Sequence, residues 1–353
     1  MLDFPAMDWC YWQGKPTATA RFKEQLEDFV VTEDLGFSPS GQGEHIFVHI
    51  EKKQLNTAYV AEQLAAFTGL PLRAISYAGR KDKFSISRQW FGVHAPGKQD
   101  FPWAQWQLDG ARILDTSRHD KKLRTGVLKR NHFAIRLKRV SDPESVIARL
   151  GVIQQQGVPN YFGMQRFGEV RYLDEEGQQQ TKVGGNLTLA HHLLEGKAIK
   201  NRNKRSVAIS ALRAWLFNTF VSERLAHFET ERVLEGDVCI LAGSNSYFCA
   251  EDVDTRLTQR LSCRDIALSA PLWGKGAAIA QAEALQFENK VAQRYPQITT
   301  ALENLGLKQE RRSLLLHPEA LEFAQQDDHI RLSFYLPKGC FATAVIRELV
   351  ECV

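Results

Sequence analysis

The chain has no apolar run approaching the roughly 20 residues that span a bilayer. Its start, Met1-Leu2-Asp3-Phe4-Pro5, has no basic stretch followed by an apolar core. Together these absences predict a cytoplasmic protein with neither membrane span nor export signal. Six cysteines (Cys10, Cys239, Cys249, Cys263, Cys340, Cys352) are scattered, and no two are spaced as C-x-x-C. That spacing speaks against a disulfide framework and against a zinc site, and predicts free thiols. Gly36-x4-Gly41 and Gly163-x4-Gly168 have Walker spacing, but Gln42-Gly43 and Glu169-Val170 follow them, without the Lys that reaches the phosphates. His191-His192 is adjacent rather than one helical turn apart, so the two rings point in different directions. No G-x-S-x-G elbow and no H-E-x-x-H occur. Neither a metal nor a cofactor is expected.

Charge is present, and unevenly placed. Over 353 residues the net charge is 45 − 41 = +4, and 44% of residues are hydrophobic, as in an ordinary globular protein. Between Arg118 and Arg139 nine Lys or Arg stand against one acid, Asp120, and the run from Lys197 to Arg205 has five basic residues and no acid. Such concentrations suit a polyphosphate partner, because each neutralised phosphate releases condensed counterions. A solvated charged face is the competing explanation for either run.

Periodicity gives the organisation. Residues 28–33 and 45–50 read as strands, the latter with Ile46, Val48 and Ile50 on one face. A helix follows, capped by Asn56 or Thr57, striped by Val60, Leu64 and Phe67, and ended by Gly69-Leu70-Pro71. Strands are expected at 74–78, at 84–93 and around Phe133, Ile135 and Leu137. From Val158 to about Arg312 the pattern is mostly helical, most clearly over 206–228, where Leu212, Trp215, Leu216, Phe220 and Leu225 form a wide apolar face. Strand alternation returns at Ile330, Leu332, Phe334 and Leu336, before a helix over 342–350. The length favours two domains, or one domain carrying a large insertion. The expectation is an α+β domain, residues 1–157 and 313–353, interrupted by a helix-rich insertion, residues 158–312.

One segment carries chemistry, Tyr77-Ala78-Gly79-Arg80-Lys81-Asp82-Lys83-Phe84-Ser85-Ile86-Ser87-Arg88-Gln89-Trp90. A single carboxylate sits among three cations at a glycine turn between expected strands. Surrounding positive charge suits an ionised carboxylate. An ionised carboxylate repels phosphate, so its presence in a polyanion site points to catalysis rather than to binding. A charged hairpin turn is the plainer alternative.

Gly79 to Gln89 resembles the G-x-K-D-x-x-A-x-T-x-Q motif of TruD-type pseudouridine synthases. Lys23 to Glu33 is similar to the family's K-x-x-P-E-D-F-x-V-x-E signature, and Asn131-His132-Phe133 to its G-N-x-F. Val158 to Gly168 matches V-P-N-Y-F-G-x-Q-R-F-G almost letter for letter, and Arg202–Arg205 and Pro337–Thr343 complete the set. Leu26 stands where Pro is usual, Arg130 where Gly is, and Ser85 and Ser87 where Ala and Thr are common. The likeness runs from about residue 13 to 350.

The resemblance implies a pseudouridine synthase catalytic domain, a mixed, mainly antiparallel sheet flanked by helices, carrying the helix-rich insertion. It implies a monomeric tRNA-modifying isomerase acting on uridine thirteen in the D arm. The uridine leaves its stack, and an Asp forms a covalent adduct with its sugar or base. By the same resemblance Asp82 is the nucleophile, Lys23 its basic partner, and Asn131 a hydrogen-bonding support for the carboxylate. Phe133 would stack on the flipped base, with core packing as its rival role. Phe341, Gln165 and Arg166 would line the substrate site, and Arg80, Lys81, Lys83, Lys204 and Arg205 would contact phosphates. Two other readings remain. One is a non-catalytic RNA-binding protein of the same fold. The other is a carboxylate-based hydrolase, which would need a second, suitably separated acid.

Overall fold

A computed structural model describes residues 7–97, 100–168, 170–173, 179–182, 184–228, 232–244 and 246–353; residues 1–5 and Glu169, read above, lie outside them. The chain divides into two compact units. Among the described residues no helix is long and apolar enough to cross a membrane.

The sheet unit comprises Pro16–Gln155, His317–Gly339 and Leu349–Val353. Its strands are β1 (Thr19–Phe22), β2 (Phe29–Asp34), β3 (His45–Lys53), β4 (Ile75–Tyr77), β5 (Ile86–His94), β6 (Ala111–His119) and β7 (Arg130–Lys138), with a C-terminal hairpin Glu319–Gln326 and His329–Pro337. From one edge the order is Glu319–Gln326, His329–Pro337, β7, β2, β5, β3, β6. β1 pairs with β7 and with Glu351–Cys352, and β4 pairs with β5. Among the described residues of this sheet β2–β5 and β1 with Glu351–Cys352 run parallel and the other pairings antiparallel, so the sheet is mixed and mainly antiparallel.

The amphipathic stripe of helix α1 (Thr57–Thr68) explains the packing on one side. Val60, Ala61, Leu64 and Ala65 are buried against Ile46, Val48 and Ile50 of β3 and Phe91 and Val93 of β5. Gly69 ends the helix in the left-handed conformation that a side chain would strain. β3 differs from its expected one-sided pattern, because Phe47 on the opposite face is buried as well. The Ile46-Val48-Ile50 face continues to position 52, where a lysine side chain is fully enclosed.

The second unit gathers residues 7–15, Gln156–Leu316 and Cys340–Glu348. Its core is the helix Arg202–His227, whose Leu212, Trp215, Leu216 and Phe220 are all buried. Alongside its helices, the stretch 158–312, whose pattern is mostly helical, also forms a sheet. A four-stranded antiparallel sheet runs in the order Tyr247–Cys249, Val238–Leu241, Ile266–Leu272, Glu310–Ser313. Its strands are short, and Ile266–Leu272 is almost continuously apolar, a pattern that alternation does not separate from a buried helix. Trp9 explains why the chain's start belongs here, since its indole packs on Tyr161 at 5.9 Å and Phe167 at 5.3 Å.

Candidate active site

The loop between β4 and β5 carries Asp82, and its shape is set by buried polar side chains beneath it. Thr57, the first residue of α1, does not cap its helix. Its hydroxyl accepts from the Lys81 backbone N–H at 3.0 Å and donates to Gln89 Oε1 at 2.9 Å. Gln89 Nε2 in turn donates to the Gly79 carbonyl at 3.3 Å. The Asp82 carbonyl accepts from Ser85 Oγ at 2.9 Å and from Lys52 Nζ at 3.2 Å. Ser85 and Ser87 join at 2.7 Å. All these side chains are buried, so each lost partner would strand a polar group at about 1–3 kcal/mol. The hydroxyls and the amide of the Gly79–Gln89 segment therefore serve the loop backbone.

The carboxylate itself meets Lys23, whose Nζ lies 2.6 Å from Asp82 Oδ2. The lysine side chain is 10% exposed and the aspartate 35%, so the pair is shielded on one side and open on the other. The ammonium also sits 4.0 Å from the centre of the Phe29 ring, whose π face favours a cation. Lys23 adopts φ 59°, a left-handed conformation that costs a non-glycine residue on the order of 1–3 kcal/mol. Asp28 holds the turn that follows. Its Oδ2 accepts from the Gln25 backbone N–H at 2.8 Å and lies 2.9 Å from Lys138 Nζ.

Lys81 does not reach outward for phosphate. Its Nζ is 2.6 Å from Glu33 Oε1, with side chains 9% and 0% exposed, and Glu33 Oε2 accepts from the Trp90 backbone N–H. The N-terminal signature thus meets the loop twice, through Lys23–Asp82 and Glu33–Lys81. The other two basic residues of the loop, Arg80 and Lys83, are exposed, as is the Phe84 ring.

Asn131 and Phe133 lie on β7, in register with Glu33 and Val31 of β2. Among the described residues no hydrogen bond joins Asn131 to Asp82, whose carboxylate is bonded to Lys23. The reason is spatial. β2 separates β7 from β5, the strand that follows the Asp82 loop, and neighbouring strands lie about 4.8 Å apart. Asn131 Oδ1 is instead buried without a partner. Phe133 is 6% exposed, packed between Phe29 at 5.9 Å and Phe334 at 5.7 Å. It is a core ring whose neighbour carries Lys23. Arg130, in the usual glycine position, extends β7 and pairs with Asp34 at 2.8 Å and Glu319 at 2.7 Å.

The basic stripe does not form one surface. Arg130, Lys138 and Arg139 answer carboxylates, whereas Lys121, Lys122, Arg124 and Lys129 are exposed.

In the second unit, Phe162 organises the Val158–Gly168 block. Its backbone N–H and C=O are both bonded to the buried Asn218 side chain, at 2.8 and 3.0 Å. The Phe341 ring packs on it at 5.7 Å, and the Arg166 guanidinium stands 5.6 Å from Phe162 and 5.5 Å from Phe341. Burial, and then the charge of Arg312, hold the Arg166 guanidinium below its usual range. Gln165 is exposed and accepts from Thr343 Oγ1 at 3.3 Å. Lys204 and Arg205 are exposed in the first turn of Arg202–His227, where Asn201 caps the helix by accepting from the Lys204 N–H.

Sequence reasoning passed over Lys52, Thr57 as a loop anchor, and Glu33. The signal for Lys52 was available, because a lysine at position 52 continues the Ile46-Val48-Ile50 alternation into an apolar face. Glu33 stood in the N-terminal signature without a role, and Thr57 gave no signal, since their partner Lys81 is 48 and 24 positions away.

The family model for tRNA pseudouridine synthase D (TruD) matches residues 8–177 and 197–349. A tRNA pseudouridine synthase D of Pseudoalteromonas atlantica is 50% identical over 343 residues, covering 97% of this chain and 96% of its own. One from Shewanella oneidensis is 47% identical, covering 97% and 88%. The crystal structure of a Methanosarcina mazei protein described as a tRNA pseudouridine synthase D shares the fold, with a TM-score of 0.69 at 19% identity over 97% of this chain and 95% of that one. The matches span both units, and the chain belongs to the tRNA pseudouridine synthase D family.

Proposed function

We propose that the chain isomerises uridine thirteen in the D arm of tRNA to pseudouridine, with Asp82 as the nucleophile. Membership of the family makes it a pseudouridine-forming isomerase. The choice of uridine and the roles of individual residues are inferences from the site. The observation that carries them is the 2.6 Å ion pair between Lys23 and Asp82, on a loop whose backbone is held from beneath and whose carboxylate is partly open.

Pseudouridine formation breaks the bond between N1 of uracil and the ribose and makes a new one through carbon five, which gives up its proton to solvent while N1 takes one up, with no net oxidation or reduction. A carboxylate that bonds transiently to the nucleotide divides this rearrangement into easier steps. Lys23 orients that carboxylate through a charge-assisted hydrogen bond. The extruded base then has to be recognised, and Asn131 Oδ1, buried and unpartnered, is an acceptor that the uracil N3–H can satisfy. Phe133 supports the base site through Phe29. Exposed Arg80 and Lys83 contact phosphates, and in the other unit Lys204, Arg205, Gln165, Arg166 and Phe341 contribute to RNA binding. The reading calls for a cytoplasmic monomer that uses neither metal nor cofactor.

Asp82→Asn tests it. Tritium release from tRNA labelled at carbon five of uridine should fall to background, while tRNA affinity stays within about twofold of the parent. Substantial turnover by this variant would remove Asp82 from the nucleophile role. A parent protein that binds tRNA without releasing tritium would instead be the non-catalytic RNA binder.

A further inference from the structure

Of the three lysines held beneath or beside the Asp82 loop, apart from the exposed Arg80 and Lys83, two have a carboxylate of their own. Lys23 pairs with Asp82, and Lys81 with Glu33. The third is Lys52. Its side chain is 0% exposed, and its Nζ donates to two backbone carbonyls, Leu55 at 2.7 Å and Asp82 at 3.2 Å. No carboxylate among the described residues is within ion-pair distance of it. The charged groups that act on it are Asp82 and Lys81 on the loop and Glu33 on β2. A buried ammonium without an ion-pair partner is expensive, and a methionine or leucine would fill the same space at no electrostatic cost. The neighbouring positions on this face, Ile46, Val48 and Ile50, are apolar in just this way.

We propose that Lys52 is a positioning residue for the reaction, fixing the Asp82 main chain from below and supplying a positive charge that no ion pair of its own, among the described residues, ties up. The proposal rests on Asp82 being the nucleophile. Lys52 never touches substrate. It acts through the carbonyl of the very residue that does, so that the carboxylate is aimed by Lys23 from one side and its backbone is anchored from the other. The geometry alone gives it that task. Its titration gives it a signature, because burial pulls the Lys52 ammonium down to about 8 against the opposing attraction of Asp82. An ammonium that loses its proton near that pH weakens its grip on the Asp82 carbonyl and withdraws its charge, so turnover should decline on the alkaline side.

The test compares the parent, Lys52→Met and Asp82→Asn as full-length chains, using single-turnover tritium release from saturating tRNA between about pH 6 and pH 10. The parent should show an alkaline limb near pH 8. Lys52→Met should lose about 10- to 100-fold in rate at neutral pH, a loss typical of a misplaced reacting group, with tRNA affinity unchanged and the alkaline limb abolished. Should Lys52→Met fold poorly, NMR titration of the Lys52 side-chain carbon in the parent and in Asp82→Asn gives an independent reading. The lysine should titrate lower once the Asp82 charge is removed. A Lys52→Met chain with parental rate and parental pH profile would overturn the proposal, as would weakened tRNA affinity with an unaltered rate, or a Lys52 titration indifferent to Asp82→Asn. Full activity in Asp82→Asn would sink the nucleophile assignment instead, and an inactive Asp82→Asn beside an unaffected Lys52→Met would sink only the role of Lys52.

Discussion

At the scale of single residues, the site is a set of charges with different obligations. The Asp82 carboxylate remains partly open beside a largely buried Lys23, whereas Glu33 and Lys81 are sealed together at 2.6 Å with side chains 0% and 9% exposed. A sealed pair contributes little net stability over an apolar substitute, but losing one member leaves the other buried and uncompensated. Glu33→Gln is therefore expected to destabilise the sheet unit by about 3–5 kcal/mol, read from the denaturant midpoint. A change below about 1 kcal/mol would mean that Lys81 finds water or another acceptor and that the pair does not hold the loop. Lys81 also shows how a sequence motif can mislead. Its place between Arg80 and Asp82 suggests a phosphate contact, and its actual partner is 48 positions upstream, which only folding brings near.

At the scale of elements, the Asp82 loop is defined by what surrounds it. α1 ends its apolar stripe at Thr57 and uses that hydroxyl on the loop, where it accepts from Lys81 N–H and donates to Gln89. Ser85, just before β5, and Ser87 and Gln89 on it lie beneath the turn, and β3 sends Lys52. Thr57→Val keeps the shape and removes both bonds. It should lower stability by about 1–3 kcal/mol and reduce turnover by a larger factor than it reduces tRNA affinity. If both fall equally, the loop is a general stability element and not a positioning device. The helix itself was readable from Val60, Leu64 and Phe67, and its end from Gly69. That its first residue faces the reactive loop was not, because helical periodicity says which face is buried and nothing about its partner.

At the scale of the whole molecule, acid is the expected weakness of the sheet unit. Burial lowers the pKa of His45, His49 and His132 below 6.5; the charge of His94 adds to this for His45 and that of Arg130 for His132. The unfolded chain takes up protons at these positions near 6.5, while the folded chain resists until lower pH. Over that window the unfolded state binds more protons, so stability must fall as pH drops through 6.5. Thermal melts between about pH 5 and pH 8 should show the decline, and replacing His49 with Gln should flatten it; melting that is level across the range would count against neutral, buried imidazoles. The mixed sheet and the order of the signatures were legible in the sequence, since alternation, helical stripes and motif letters are local properties. The sequence determined which residue types stand beside Asp82 along the chain. Only the tertiary structure decided that Lys23 reaches its carboxylate, that Lys52 reaches its carbonyl, and that Glu33 takes Lys81 out of contention for RNA. Charge pairing depends on distance in space, and distance along the chain does not report it.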